Sequence, residues 1–404
     1  MSISRKKLII VGGGAAGFFV AANLEKDKYV ITLLERSKNP MQKIKISGGG
    51  RCNVTHACFD PKALVEFYPR GHKELRSVFT KFQPRDTMAW FEERGMELKT
   101  EADNRMFPIS DSSQDVMDIL LNAAIENGTK IHYRAGVTQI LREENQWKVA
   151  TKFQTFVADK IVFCTGSSPK AYEMLKALNL AIVDLVPSLF TFNIKDKTLD
   201  QLMGTSFENA IVKIPELKAE ESGPLLITHW GLSGPVVLKL SAWCARELFK
   251  LNYEFAIEVN FLGISMERAD EILLNYKKEH PKKAMVNVKI FEVTQRFWQN
   301  ILEIQQIDPK KQIANLSKKE KQAILKNLCA CRLSVKGKST FKEEFVTAGG
   351  VDRKQIDFKT MRAKALDDFY LAGEVLDIDA ITGGFNFQAC WSEAWLITQD
   401  LNNL

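Results

Sequence analysis

The chain lacks the residue patterns that build metal sites and disulfide frameworks. Its seven cysteines stand at 52, 58, 164, 244, 329, 331 and 390, an odd and scattered set with no CxxC pair. That excludes a regular disulfide framework or structural zinc site and points to a reducing cytoplasm. Five histidines, at 56, 72, 132, 229 and 280, show neither HxxxH nor HxH spacing, so no histidine-based metal site is expected. No stretch of roughly 18 apolar residues runs uninterrupted, so no transmembrane helix is expected. The start "SRKKLIIVGGGAAGFFVAANL" resembles a signal peptide only superficially, because glycines break it and charge returns at "EKDKY". Extremes of charge are absent too. A net charge of +7, with 45% hydrophobic and 26% charged residues over 404 positions, describes an ordinary globular chain of two or three domains.

What is present begins with glycine. "KKLIIVGGGAAGFFVAANLEK" reads as a buried strand (Leu8 to Val11), a tight turn and a helix. Gly12, Gly14 and Gly17 fit GxGxxG, with Ala15 and Ala16 between the last two. The first glycine permits the turn, the second admits a pyrophosphate to the backbone, and the third lets helix and strand pack closely. A second strand, "YVITLLE", ends in Glu35, 23 residues after Gly12, where an acid hydrogen-bonds a ribose diol. Arg36 follows, but the acid favours an unphosphorylated adenosine ribose, as in FAD or NAD. β-like runs at 130–133, 136–142 and 146–157 lead to "ADKIVFCTGSSP", which closes on Thr165-Gly166. Near the other end, "DDFYLAGEVLDIDAITGGFNFQACWSEAWLITQDL" gives a strand, a loop ending in Gly383-Gly384, and a helix.

The expected fold class is therefore α/β, a Rossmann-like nucleotide-binding domain built from both chain ends (1–188 and 347–404). Between them lie an inserted β-rich, barrel-like domain (189–265), a helical insert (266–331) and a return segment (332–346). The β-rich part is read from "SLFTFNI", "NAIVKI", "PLLITHWG" and "YEFAIEVNFLG", with "HWGLSGP" feeding a helix at Pro235. The helical part is read from "SMERADEILLNYKKEH" and "SKKEKQAILKNLCACRL", each with a serine N-cap. Cys329 and Cys331 are placed on opposite sides of that last helix, poor geometry for a metal clip. From Lys277 to Lys338 there are 15 Lys and Arg against 5 Asp and Glu. Such a run is either the footprint of a nucleic-acid partner or a set of solvated helix faces.

The stretch "KISGGGRCNVTH", Lys45 to His56, is too deep in a folded unit for a linker and runs straight into an arginine and a thiol. Gly48, Gly49 and Gly50 there imply close approach of something to the backbone.

These blocks carry a resemblance. The GxGxxG at 12–17 with Glu35, "SGGGRCNVTH" at 47–56, "THWGLSGPVVLKLS" at 228–241, "TAGGVDRKQIDFKTMRAK" at 347–364 and "FYLAGEVLDIDAITGGFNFQA" at 369–389 resemble the HI0933-like (YhiN/BaiN-type) family of FAD-containing oxidoreductases over nearly the whole length. Two departures stand out. "SSPKAYEML" after Thr165-Gly166 is plainer than the glycine-rich turn expected, and "CWSEAW" stands where small residues are usual.

The resemblance implies FAD, held by Gly12, Gly14, Ala15, Ala16, Gly17, Glu35, Arg36, Lys43, Gly48, Gly49, Gly50, Arg51, Cys52, Val137, Thr165, Gly166, Gly373, Glu374, Asp379, Gly383, Gly384, Phe385 and Asn386. Glu374 is placed to hold ribityl hydroxyls, with Asp377 or Asp379 sharing that role. The helix after Gly384 aims its N-terminus at the flavin N1–C2=O edge. Arg51 either sits near phosphate or flavin O2/N1, or caps surface carbonyls. Cys52 is either a proton donor or a buried filler. His229, a third catalytic candidate, and Trp230 either line the substrate side or serve the loop.

The expected activity is hydride transfer between flavin N5 and a C=C or C–N bond. A uracil base of ribosomal RNA is one substrate class, and a small unsaturated or amine metabolite is the alternative. A non-catalytic flavin-containing RNA-binding factor is the reading from another class. No second GxGxxG with a following acid is present, so NAD(P)H, as reductant, must reach the flavin from the substrate side. A cytoplasmic protein with no membrane partner and no metal is expected.

Overall fold

The computed structural model describes residues 5–339 and 346–404. The chain divides into two compact units, Met1–Val186 with Lys342–Leu404, and Pro187–Phe341.

The first unit is organised by strand β1 (Lys6–Val11), whose last four residues are fully buried aliphatics. A run without polar alternation suits a strand covered on both faces, as parallel sheets are. On one side β1 pairs with β2 (Tyr29–Leu34), which pairs with β3 (Lys130–His132). On the other it pairs with β4 (Lys160–Phe163), which pairs with β5 (Phe369–Leu371). All four pairings are parallel, and Arg362–Ala363 and Ile356–Asp357 extend the far edge in antiparallel sense. The order β3-β2-β1-β4-β5 reverses at β1, so the carboxyl end of β1 is the topological switch point where such sheets bind ligands. The α/β, two-ended Rossmann-like domain is thus present.

Helix α1 (Ala15–Asn23) follows the glycine turn and packs on the long C-terminal helix α2 (Phe385–Asn402). Phe19 of α1 meets Phe82, Trp90 and Trp391 at ring distances of 5.7, 4.6 and 5.3 Å. The bulky "CWSEAW" segment has its reason here: Trp391 is fully buried in this cluster and donates from Nε1 to the Val54 carbonyl at 3.0 Å. A small antiparallel sheet of Val137–Glu143, Gln146–Thr151 and Thr155–Ala158 shows that the run 146–157 is two strands turned at 152–154.

The chain leaves this unit through Ile182–Ser188 and returns through Val346–Val351, two strands that pair with each other. The second unit is built on seven antiparallel strands in the order Cys331–Lys336, Glu254–Asn260, Ser206–Ile214, Ala219–Ile227, Gly231–Ser233, Thr191–Asn193, Lys338–Ser339. The strands at the two ends of that order are separated only by Gly337, so the sheet must curl round to meet itself. Gly337 joins the seam, donating to Tyr253 O at 2.8 Å and accepting from Asn193 N at 3.1 Å. This is the expected barrel-like sheet.

The helices Met266–Glu279 and Lys318–Cys329 are capped by Ser265 and Ser317, the second with a full capping box to Glu320. They bury their apolar faces in the same core as the sheet, with Phe207, Phe261 and Phe297 mutually 4.8 Å apart. One expectation is corrected: Cys331 does not continue the helix. It opens a strand that pairs with Glu254–Asn260, so 332–336 belong to the sheet.

Candidate functional site

The glycine turn sits at the switch point, and its three motif glycines differ in what surrounds them. Gly12 has φ +108°, and a β-carbon there would lie 2.5 Å from the Cys164 carbonyl oxygen. One on Gly17 would lie 2.0 Å from the Gly12 oxygen. One on Gly14 would meet no protein atom within 4 Å. The fold therefore demands two of the glycines, while the third faces open space at the N-terminus of α1, where unpaired N–H groups attract phosphate. Beside it, the buried Glu35 carboxylate accepts from Gly13 N and Ser37 N, both at 2.7 Å. The two bonds fix the acid and leave further lone pairs on each oxygen for ribose hydroxyls. These residues fit an adenosine diphosphate moiety.

Around the turn lie most of the other expected contacts. Exposed Arg36 reaches Ser168 Oγ at 3.4 Å, and its stem lies against Gly136, next to Val137. Thr165 Oγ1 donates to Gly166 O at 3.3 Å, and Gly166 faces the Glu374 carboxylate. Glu374 is ion-paired with Lys43 and accepts from Thr347 N at 3.0 Å. Gly373 N donates to the buried Glu393 at 2.6 Å.

The "SGGG" stretch has a cause within the protein itself. Gly48, Gly49 and Gly50 have φ of +57°, +69° and +87°, three consecutive left-handed residues that β-carbons would strain. A β-carbon on Gly48 would also lie 2.8 Å from the Phe107 ring, whereas one on Gly49 meets nothing within 4 Å. So the backbone path itself requires glycine, a reason the sequence reading did not include. The tight turn brings Arg51 N and Cys52 N to one acceptor, Ser47 O.

Arg51 and Cys52, each left with two readings by the sequence, are both engaged within the protein, and Arg51 Nε donates to Gly48 O at 3.3 Å. Arg51 Nη1 is 2.6 Å from Glu101 and 3.4 Å from Asp111, and its guanidinium lies 4.0 Å over the Phe107 ring. Two carboxylates thus already answer its charge. Cys52 is 0% exposed at φ +60°. Burial pushes its thiol up to about 12, against the opposing effect of a hydrogen bond with Ser47. In this position it is a packed side chain without the surface or acidity of a proton donor.

Residues 53–56 run against the C-terminal block. With its amide oriented to satisfy its neighbours, Asn53 accepts from Gly384 N and donates to Thr55 O, both at 2.9 Å. A β-carbon on Gly384 would lie 2.6 Å from Thr55 O, so the two backbones touch. His56 Nδ1 is 3.1 Å from Gly383 O, and burial holds its imidazole below the usual value. Phe385 stacks on Phe67 at 4.3 Å, its carbonyl accepts from Tyr68 OH at 2.6 Å, and Asn386 bonds both backbone groups of Ala380.

Among the three acids of this block, Asp379 is fully buried in a two-pronged pair with Arg70 and Asp377 pairs with Arg353. Asp379 is therefore held by Arg70, while Glu374 stands beside Gly166 and Lys43. His229 and Trp230 lie in the second unit, at the tip joining Ala219–Ile227 to Gly231–Ser233, with Trp230 56% exposed. Among the described residues no His, Cys, Asp and Glu side chains gather into a metal cluster, and no helix is long and apolar enough to cross a membrane.

Three buried polar residues of α2 were not anticipated. Gln388 Oε1 accepts from Thr55 and Thr87 hydroxyls at 2.5 and 2.9 Å, and Ser392 Oγ donates to Phe82 O at 2.8 Å. Glu393 keeps its second oxygen without a partner in the described structure. Polar residues spaced four apart in an apolar helix were the available signal.

The chain is similar to a ribosomal RNA dihydrouridine synthase of Escherichia coli K12, 28% identical over 99% of this chain and 98% of the relative. It is also similar to a 3-dehydro-bile acid delta(4,6)-reductase of Clostridium scindens, 24% identical over 96% of this chain and 97% of the relative. In fold it is similar to a 3-ketosteroid-delta4-(5alpha)-dehydrogenase from Rhodococcus jostii RHA1, with a TM-score of 0.52, 11% identity and coverage of 98% and 96% of the two chains. A family model described as HI0933-like protein Rossmann domain matches residues 6–400. With the open glycine cradle, the fixed acid beside it and that match over nearly its full length, the chain belongs to the HI0933-like family of FAD-dependent oxidoreductases.

Proposed function

We propose that this oxidoreductase reduces the C5=C6 bond of a uracil base in ribosomal RNA, with NAD(P)H as the electron source. The observation that carries the reading is the full-length likeness to a ribosomal RNA dihydrouridine synthase. The charge distribution supports it. Residues 187–341 hold 23 Lys and Arg against 17 Asp and Glu, which is +6 of the chain's +7, and phosphate contacts are made by such an excess.

FAD, when bound, supplies two-electron chemistry at the polarised ring. The chain's own residues bind and orient. The N–H groups around Gly14 would hold the pyrophosphate, Glu35 the adenosine ribose, and Glu374 with Lys43 the ribityl chain. The first turn of α2 would offer a partial positive charge to the ring's N1–C2=O edge and favour negative charge there. Reduction also needs a proton at the second carbon. Cys52 is buried and Arg51 is held by Glu101 and Asp111. With both side chains held inside the protein, water is the proton source in this reading. The protein then acts in the cytoplasm, where ribosomal RNA is.

A small enone substrate is the second reading, favoured by the likeness to a bile-acid delta(4,6)-reductase. Mass analysis of ribosomal RNA from a deletion strain separates the two. The expected result is loss of a two-hydrogen increment on one uridine, restored by the intact gene. Unchanged RNA, together with NADPH-dependent reduction of a steroid enone by the purified protein, overturns the first reading in favour of the second.

A further inference from the structure

The basic run 277–338 supplies charge but, among its described residues, no exposed Phe, Tyr or Trp ring. Its Phe297 and Trp298 are buried. Several of its cations are already engaged: Lys311 with Glu320 at 2.6 Å, Lys321 with Asp270 at 2.5 Å, and Lys277 with Leu316 O at 3.0 Å. Single-stranded nucleic acid needs aromatic faces beside the cations, because stacking holds the bases while charge holds the backbone.

That combination occurs elsewhere in the same unit. The helix Pro235–Trp243 continues, after a break at Cys244, into Ala245–Lys250. Val236, Val237, Leu240 and Leu248 bury its inner face. The outer face carries Lys239, Trp243, Arg246 and Lys250, spaced four, three and four residues apart, which stacks them along one side of a helix. Trp243 is 42% exposed and Phe249, flanking the stripe, 49%. Phe249 meets the Tyr253 ring at 6.2 Å, and Lys338 lies 4.9 Å over Tyr253, adding a cation at that end. Glu247 puts an acid at the margin of the stripe.

We infer that this helical face is a platform for single-stranded RNA, with bases stacked on Trp243 and Phe249 and phosphates met by Lys239 and Lys250. The inference rests on the RNA reading above and names the surface that reading leaves open. RNA is favoured over a protein partner because the rings are exposed singly among cations, inside the unit that carries nearly all the chain's net charge. An apolar protein contact would need a continuous patch.

The test is a salt series of fluorescence-anisotropy titrations of the FAD-loaded, full-length protein with a labelled single-stranded oligouridine. Trp243→Ala with Phe249→Ala should weaken binding roughly tenfold or more while leaving the salt slope unchanged. Lys239→Gln with Lys250→Gln should lower that slope by roughly 1.4, two phosphates at about 0.7 each. Both variants should keep wild-type FAD content and flavin reduction. Wild-type affinity and slope in both variants would overturn the surface while RNA binding by the wild type keeps the functional reading. No RNA binding by the wild type at low salt would overturn both. Sedimentation that shows a dimer dissolved by the Trp243→Ala change would assign the face to a second copy and overturn the proposal.

Discussion

A β-carbon placed on Gly17 would lie 2.0 Å from the Gly12 carbonyl oxygen, whereas one on Gly14 meets no protein atom within 4 Å. Substitutions at the two therefore separate fold from ligand. Gly14→Val should fold with the thermal stability of FAD-free wild type yet purify colourless, because its side chain fills the phosphate cradle. Gly17→Ala should be destabilised by about 1–3 kcal/mol or more through overpacking, with FAD loss secondary. Circular-dichroism melts alongside absorbance near the flavin band distinguish the two. Cys52→Ala tests the burial argument. Full turnover with stability lowered by about 1 kcal/mol is expected for a lost packing group, and a blocked oxidative half-reaction in stopped flow would restore the proton-donor role. At this scale Glu35 and the motif glycines were legible because one short motif contains both the residues and their reason. The state of Arg51 was not, since Glu101 and Asp111 stand 50 and 60 positions away and nothing local announces them.

Helix α2 carries its own test in Glu393. Burial pushes this carboxyl up to about 8, against the stabilising bond from Gly373 N. A folded-state value above the ordinary carboxylate range means that the native protein holds a proton the unfolded chain releases. Stability is thus unaffected by this group in acid and is lost as pH rises from about 4.5 toward 8. Glu393→Gln removes that loss. Its melting temperature should rise relative to wild type as pH goes from about 5 to about 8, while a constant gap would show that Glu393 does not titrate in this window. At the level of elements the sequence was generous with strands flanked by glycine and helices begun by serine. It misled at Cys329–Cys331, where helical periodicity seemed to run on. "CRLSVK" alternates buried and exposed with period two, but only its pairing with Glu254–Asn260 decides for strand over helix.

For the whole molecule, the two-ended layout was readable because a strand–turn–helix piece stands at each end. A barrel-like insert was readable, but its seam was not, because Gly337 joins strands that lie at opposite ends of the sheet order. Charge, too, has a whole-molecule reading: the first unit is nearly neutral, since the insert holds +6 of +7. Raising salt should therefore weaken RNA affinity steeply but leave FAD affinity nearly untouched, as equilibrium dialysis at two ionic strengths would check.

The parallel sheet joins strand β1 at the start of the chain, through β4, to β5 at Phe369–Leu371, and α1 leans on the last helix. Translation delivers these partners at opposite ends of its timetable. A ribosome that has made β1 must finish the whole insert before β5 and α2 emerge, while the insert is continuous and has its own core. Domains fold as units during synthesis, so the insert should become protease-resistant first. A chain ended at Phe341 should yield a trypsin-stable fragment from the insert and acquire no flavin. A truncated chain that turns yellow would show that the nucleotide half assembles without its last strand and helix. The order of synthesis then makes cofactor loading a late event, reached only after the whole insert has been made.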